Sequence, residues 1–206
     1  MTKTKKSLPS SLIELVLVVA SALGLALAIQ AFVVKPYRIP SGSMLPTLHI
    51  GQRVLVNRIG THFSNPSVGD IIVFHPPKDY GTCADPGEGQ NGVGQNNARP
   101  CDRVQATPSS ETFIKRVVGV AGDRISIRNG HVIRNGVREK DSYIIPCLGG
   151  SCDFPGTITI PRGDYYMMGD NRPDSEDSRF WGPVPKAWII GQAFFTYWPP
   201  GRMGFL

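Results

Sequence analysis

Ser43, in Pro40-Ser41-Gly42-Ser43-Met44-Leu45-Pro46-Thr47-Leu48, and Lys115, in Phe113-Ile114-Lys115-Arg116-Val117-Val118-Gly119, can do chemistry together. A serine hydroxyl is a weak nucleophile until a base takes its proton, and a lysine can be that base only as the neutral amine. Prolines on both sides stiffen the serine segment, and Gly42 permits a tight bend. Alone, such a segment is a plain turn. Lys115 lies in a run with strand character, where period two puts it on the face of Phe113 and Val117 and turns Arg116 the other way, toward solvent. If the Lys115 face is inward, desolvation favours the neutral amine and lowers its pKa. Alone, Lys115 and Arg116 suit an exposed edge strand.

A third block changes that reading: Gly169-Asp170-Asn171-Arg172, running on to Asp177-Ser178-Arg179-Phe180-Trp181-Gly182. Three such blocks in this order resemble the type I signal peptidases, membrane-bound serine proteases with a Ser/Lys dyad. The resemblance covers an apolar N-terminal anchor and the catalytic core. It implies that Ser43 is the nucleophile and Lys115 its base. It also implies that the Ser41 hydroxyl, with the Ser43 backbone N–H, donates to the oxyanion, whose charge develops only in the transition state. Ser175 matches a serine that orients the lysine, and Asp177 and Arg179 match a charged pair that braces the loop. A turn rich in side-chain to backbone bonds is the plainer reading of these three. Tyr37, Ile39, Met44 and Ile114 match residues near shallow apolar pockets for small side chains at the −1 and −3 positions before the cut, and they serve equally well as core. The chain departs from the family pattern at Pro173-Asp174, where many members read Asp-Asn. Only about 50 residues separate Lys115 from Gly169, as in the compact forms of the family.

These residues need elements to position them. Of 206 residues, Gly (23) and Pro (18) punctuate short runs rich in Val, Ile, Phe and Tyr, which predicts an all-β domain. Strands are expected at Val54–Arg58, Ile71–Phe74, Phe113–Val120, Arg124–Arg128, His131–Arg134, Thr157–Ile160, Tyr165–Met168 and Phe194–Trp198. Val68-Gly69-Asp70 and Ala121-Gly122-Asp123 read as turns, and Asn129-Gly130 and Asn135-Gly136 as hairpin turns. Residues 75–110 are rich in Gly, Pro, Asn and Gln and read as a surface loop insertion.

Leu15 to Val34 is 20 residues with only Ser21 and Gln30 clearly polar. As a helix it would be about 30 Å long, the thickness of a bilayer core. A cleaved signal peptide is the rival reading, since Ala26-Leu27-Ala28 is an A-x-A, but that triplet lies inside the apolar run. The expected order is a cytoplasmic tail at 1–11, a transmembrane helix at 12–34 and an extracytoplasmic catalytic domain at 35–206. Lys3, Lys5 and Lys6 favour a cytoplasmic N-terminus, with Lys35 and Arg38 on the other flank.

Net charge is +6, but from Lys35 onward there are 19 basic and 15 acidic residues, a net +4. They are scattered, which argues against nucleic acid as a partner. Four cysteines in two local pairs, Cys83/Cys101 and Cys147/Cys152, suit disulfides in an oxidising compartment. Their spacing and the dispersed His49, His62, His75 and His131 do not suit zinc.

The expectation is therefore a single-span enzyme of the plasma (inner) membrane, with the β-barrel-type fold shared by signal peptidases and LexA-like repressors. It needs no cofactor and no metal. Its partners would be membrane lipid and preprotein signal peptides. The alternatives are a related conjugative or organellar processing peptidase, a self-cleaving repressor, or a membrane-tethered β-domain that binds peptides without cleaving them.

Overall fold

The computed structural model describes residues 10–78, 100–148 and 152–206. Helix α1 (Ser10–Phe32) leads into strands β1 (Val34–Arg38) and β2 (Arg53–Asn57), a short helix α2 (Gly60–Phe63), and strands β3 (Ile71–Phe74) and β4 (Phe113–Val120). Then come β5 (Arg124–Arg128), β6 (His131–Arg134), β7 (Val137–Arg138), β8 (Phe154–Thr159) and β9 (Asp164–Met168). A one-turn helix α3 (Ser178–Trp181), β10 (Val184–Pro185), β11 (Ile189–Trp198) and β12 (Gly204–Phe205) complete the chain. Beyond α1 the described residues form an all-β fold whose α-helices, α2 and α3, are single turns.

One sheet runs β1-β2-β11-β3-β4-β9-β10, with β12 added beside β11, and the other runs β7-β6-β5-β8. Among the described residues every strand pair is antiparallel. The unbroken apolar run of β3 is explained by its place: all four side chains are buried, divided between two core clusters. One cluster joins Val54, Val56, Ile71, Val73 and Ala193 to Ile39, Met44 and Leu48 of the β1–β2 connection. The other gathers Ile72, Phe74, Val117, Met167 and Trp181. A third lies between the sheets, where Ile125, Ile127, Val132 and Ile158 meet Val118, Tyr166 and Met168. Both Asn-Gly pairs adopt positive φ, at 50° and 78° for Asn129-Gly130 and 54° and 84° for Asn135-Gly136. That is the twist a two-residue hairpin needs, so β5–β6 and β6–β7 are local events.

Several elements differ from expectation. β1 was hidden by its polar Lys35-Pro36-Tyr37-Arg38, yet it is an edge strand, where a proline need not donate to a neighbour. β11 begins at Ile189 rather than Phe194, because the polar Gln192 finds a partner: its amide donates to Asp70 Oδ1 at 2.9 Å. The expected strand at Thr157–Ile160 lies earlier, at Phe154–Thr159. The described ends of the 75–110 segment are not simple surface loop. Pro77 bridges Pro108, Ser109 N–H donates to Pro76 O, and Pro76, Pro77, Pro100 and Cys101 are buried. Residues 79–99, and with them Cys83, lie outside the described residues.

The expected transmembrane helix at 12–34 meets a helix, α1, whose described side chains span 11–27. Among the described residues no helix is long and apolar enough to cross a membrane.

Cys147 and Cys152 form a disulfide, with Cα atoms 5.8 Å apart. Closing so short a loop contributes about 2 kcal/mol in the chain-entropy model. Replacing both cysteines by serine should lower stability by about that much, read as a reduced Tm with the parent and variant compared under non-reducing conditions.

Candidate active site

Ser43 sits in the connection between β1 and β2, and two things hold that connection still. Its ends are zipped by Ile39 N–H to Gln52 O and Gly51 N–H to Ile39 O, both 2.8 Å. Its middle is pinned by Met44 and Leu48, each with no exposed surface, and burying such side chains contributes roughly 2–3 kcal/mol apiece. The short backbone bonds Leu45 N–H to Gly42 O (3.1 Å) and Leu48 N–H to Met44 O (2.8 Å) curl the chain around Ser43. Ser41 Oγ lies 3.4 Å from Ser43 Oγ.

Lys115 is the third residue of β4, paired with Ile72 of β3. As period two requires, it shares a face with Phe113 and the fully buried Val117, and it is itself only 3 % exposed. Burial drives its pKa down to about 8. Asp177 pulls the other way, Arg179 supports the depression, and Glu176 and Asp174 oppose it. Ser43 and Lys115 border one open cleft of about 540 Å³, shared with Ser41, Phe113, Ile114 and the segment 173–176.

The Gly169 block supplies the opposite wall. Asn171 N–H donates to Ser43 O at 3.0 Å, and its side-chain amide donates to Gly42 O at 3.1 Å. Gly169 is required by close approach, since a Cβ there would lie 2.5 Å from Ser43 O and closer still to Ser175 Oγ. Asp177 and Arg179 form a buried bidentate pair, with Arg179 Nε 2.7 Å from Asp177 Oδ1 and the terminal nitrogen 2.9 Å from Oδ2. Asp177 also accepts from Ser175 Oγ (2.7 Å) and Gly169 N–H (3.1 Å), and it caps α3 by accepting from Arg179 N–H. Burial alone would raise the Asp177 pKa. The charge and hydrogen bonds of Arg179 outweigh it and hold the carboxyl below its ordinary value.

The predicted residues thus divide. Ser41, Ser43, Ile114, Lys115 and Ser175 line the cleft, with Asp177 and Arg179 directly behind it. The hydroxyl of Ser175 is directed to Asp177. Ile39 and Met44 are buried in the core beneath the serine segment, and Tyr37 and Ile114 are half-buried against that same cluster.

Arg116 meets solvent only in part, with 12 % of its side chain exposed. Its guanidinium embraces Asp170 at 2.9 and 2.7 Å, donates to Gly69 O at 2.7 Å, and stacks over Tyr143 at 4.1 Å. Thr47 Oγ1 donates to the same Asp170 carboxylate at 2.5 Å. Sequence reasoning missed this node: alternation gave the direction of Arg116 but not the fully buried carboxylate waiting there. The signal was an acidic residue directly after Gly169, inside a block already singled out.

Comparison with known proteins gives the family. A family model described as signal peptidase, peptidase S26, matches residues 12–198, and the chain belongs to that family of peptidases. A probable signal peptidase I-1 of Synechocystis sp. is 38% identical over 185 residues, covering 90% of this chain and 82% of that protein. A signal peptidase I of Leptolyngbya laminosa is 37% identical over 199 residues, covering 96% and 85%. A crystal structure of a signal peptidase I from Enterococcus faecalis V583 is 23% identical with a TM-score of 0.43, covering 63% of this chain and 97% of that one.

Asp170→Ala would leave Arg116 buried without its carboxylate, which costs about 3–5 kcal/mol. Denaturant unfolding should show a loss in that range, and Arg116→Ala combined with Asp170→Ala should lose much less than the sum of the single changes.

Proposed function

We propose that this peptidase removes N-terminal signal peptides from exported preproteins through a Ser43 acyl-enzyme. One observation carries the reading: a lysine with 3 % exposure and a pKa near 8 borders the same cleft as a serine held rigid from both sides. Ser43 Oγ attacks the scissile carbonyl carbon while Lys115 Nζ takes the hydroxyl proton. Ser41 Oγ and the Ser43 N–H donate to the oxyanion. Lys115 returns the proton to the leaving amine as the peptide bond breaks, then takes a proton from the water that hydrolyses the acyl ester. Ser175 and the Asp177–Arg179 pair hold the wall against which the amine packs. Because Arg179 neutralises Asp177, that carboxylate does not trap Lys115 as the ammonium. Shallow apolar pockets near Tyr37, Ile39, Met44 and Ile114 would select small side chains at the −1 and −3 positions.

The catalytic domain is residues 35–206, carried on a membrane span at 12–34 with the tail at 1–11 in the cytoplasm. Support comes from α1 itself: from residue 11 to residue 27 every side chain is exposed, Leu15, Leu17, Leu25 and Leu27 among them. A helix whose described side chains are mostly apolar and exposed on every face suits lipid. Nine residues from Val34 to Ser43 keep the nucleophile within about 30 Å of the membrane, where tethered preproteins also lie. Resistance of the full chain to alkaline carbonate extraction, with protease access only from outside the cytoplasm, checks this placement.

Turnover of a peptide with an A-x-A site tests the dyad. Ser43→Ala and Lys115→Ala should each abolish cleavage, the double variant should be little worse, and Lys115→Arg should also fail because guanidinium stays protonated. Active Lys115 variants would refute the base.

Only the neutral amine works, so the rate should rise roughly tenfold from pH 7 to 9, with its midpoint near the Lys115 pKa of about 8. The linkage sign is equally definite. The folded pKa lies below the unfolded one, so between about pH 8 and 10 the unfolded chain binds more protons and stability grows with pH. Lys115→Met should be inactive yet more stable than the parent below pH 8, a combination that loss of a merely structural residue does not produce.

A further inference from the structure

Asp174 and Glu176 have no role in the chemistry above, yet both line the cleft that Ser43 and Lys115 share. Both are exposed, and among the described residues neither is paired with a cation. Asp174 stands close to the serine segment: its Oδ2 is 3.5 Å from where a Cβ on Gly42 would be. Both carboxylates are near enough to raise the Lys115 pKa against the effect of burial. The two alternate with Ser175, whose hydroxyl turns inward to Asp177, so the segment puts its polar anchor inside and its charges outside.

The cleft's charge balance follows. The Asp177–Arg179 pair behind the wall cancels itself, and the remaining lining side chains apart from Lys115 carry no charge. When Lys115 is neutral, as the proposed mechanism requires, the cleft keeps two negative charges and no positive one. A peptidase takes a peptide chain as its occupant, and Asp174 and Glu176 line the same cleft in which Ser43 would meet the scissile bond.

We infer that Asp174 and Glu176 are specificity-determining residues: they favour a cationic side chain, and reject an anionic one, immediately after the cut. The inference rests on the proposed peptidase reading. Two carboxylates about 7 Å from a substrate charge, in a wet cleft at moderate salt, make Lys against Glu at that position a difference on the order of 10-fold.

The test uses the full chain in detergent and three peptides with one A-x-A site, differing only in Lys, Gln or Glu after the cut. The parent should rank them Lys, Gln, Glu in kcat/KM, with Lys over Glu on the order of 10-fold. That ratio should shrink as salt rises from about 0.05 to 0.5 M. Asp174→Asn with Glu176→Gln should bring it within twofold, each single change falling between. A parent ratio already within twofold, or one that persists in the double variant, overturns the inference and leaves the peptidase reading standing. Affinity measured on Ser43→Ala separates the reverse case. A Lys-over-Glu preference in Kd that the double change abolishes, without turnover of any peptide by the parent, upholds the rim and sinks the proposed function. Equal affinities without turnover sink both.

Discussion

The carboxylate of Asp170 holds together three stretches of chain far apart in sequence. It accepts two hydrogen bonds from Arg116, the neighbour of Lys115, and one from Thr47, four residues beyond Ser43. Asp170 itself directly follows Gly169, whose missing side chain lets Ser43 O approach. With no exposed surface, this carboxylate is tolerable only because every strong partner is in place. The relative positions of the nucleophile, its proposed base and the wall facing them are therefore set at one buried ionic node. Hydrophobic burial supplies the bulk of stability here, but it is non-directional and would accept a small slide of one segment over another. A two-pronged guanidinium–carboxylate contact is geometrically exacting, and it is the contact that fixes register.

A second buried pair solves a different problem. Lys115 needs low dielectric to shed its proton, yet a carboxylate placed nearby to satisfy it would pull the proton back. Asp177 is such a carboxylate, fully buried, and its influence on Lys115 is upward. Arg179, 2.7 Å from Asp177, carries the opposite charge and acts on the amine in the downward direction. Asp177 is at the same time a hydrogen-bond hub for Ser175, Gly169 N–H and the first turn of α3, and burial outweighs its upward influence on the amine.

What was legible in the sequence follows from which interactions are local. β3, β4, β5 and β6 occupy their expected ranges, because alternation and Asn-Gly turns are properties of a few consecutive residues. That Lys115 shares a face with Phe113 and Val117 was legible for the same reason, since it needed only period two. That this face turns inward was a condition which the strand alone did not decide. β1, by contrast, is a strand only because β2 lies beside it, and β11 extends back to Ile189 only because β3 and Asp70 receive it. The partner of Arg116 was missed because alternation distinguishes two faces but does not say what covers them. On this strand both faces are covered, one by the apolar cluster around Val117 and one by Asp170 and Tyr143. Side-chain chemistry of that kind is long-range by nature, the partners being 54 positions apart.

The same logic explains why the segment after β7 matters to a site it does not touch. Ile145 forms an isolated parallel bridge with Asn171, donating to Asp170 O at 2.8 Å and accepting from Arg172 N–H at 3.1 Å. Cys147 follows at once, its N–H bound to Asn129 O at the β5–β6 turn and its sulfur joined to Cys152. Arg172 closes the other side, reaching Gly130 O in that turn. Asp170, Asn171 and Arg172 are thus clamped between the serine segment on one flank and the second sheet on the other. A loop carrying a buried charge and two bonds to the Ser41–Ser43 segment would otherwise depend on contacts within its own few residues. Tied to the four-stranded sheet, it takes on the rigidity of a packed core, which is why that sheet, remote from Ser43, belongs to the machinery that positions it.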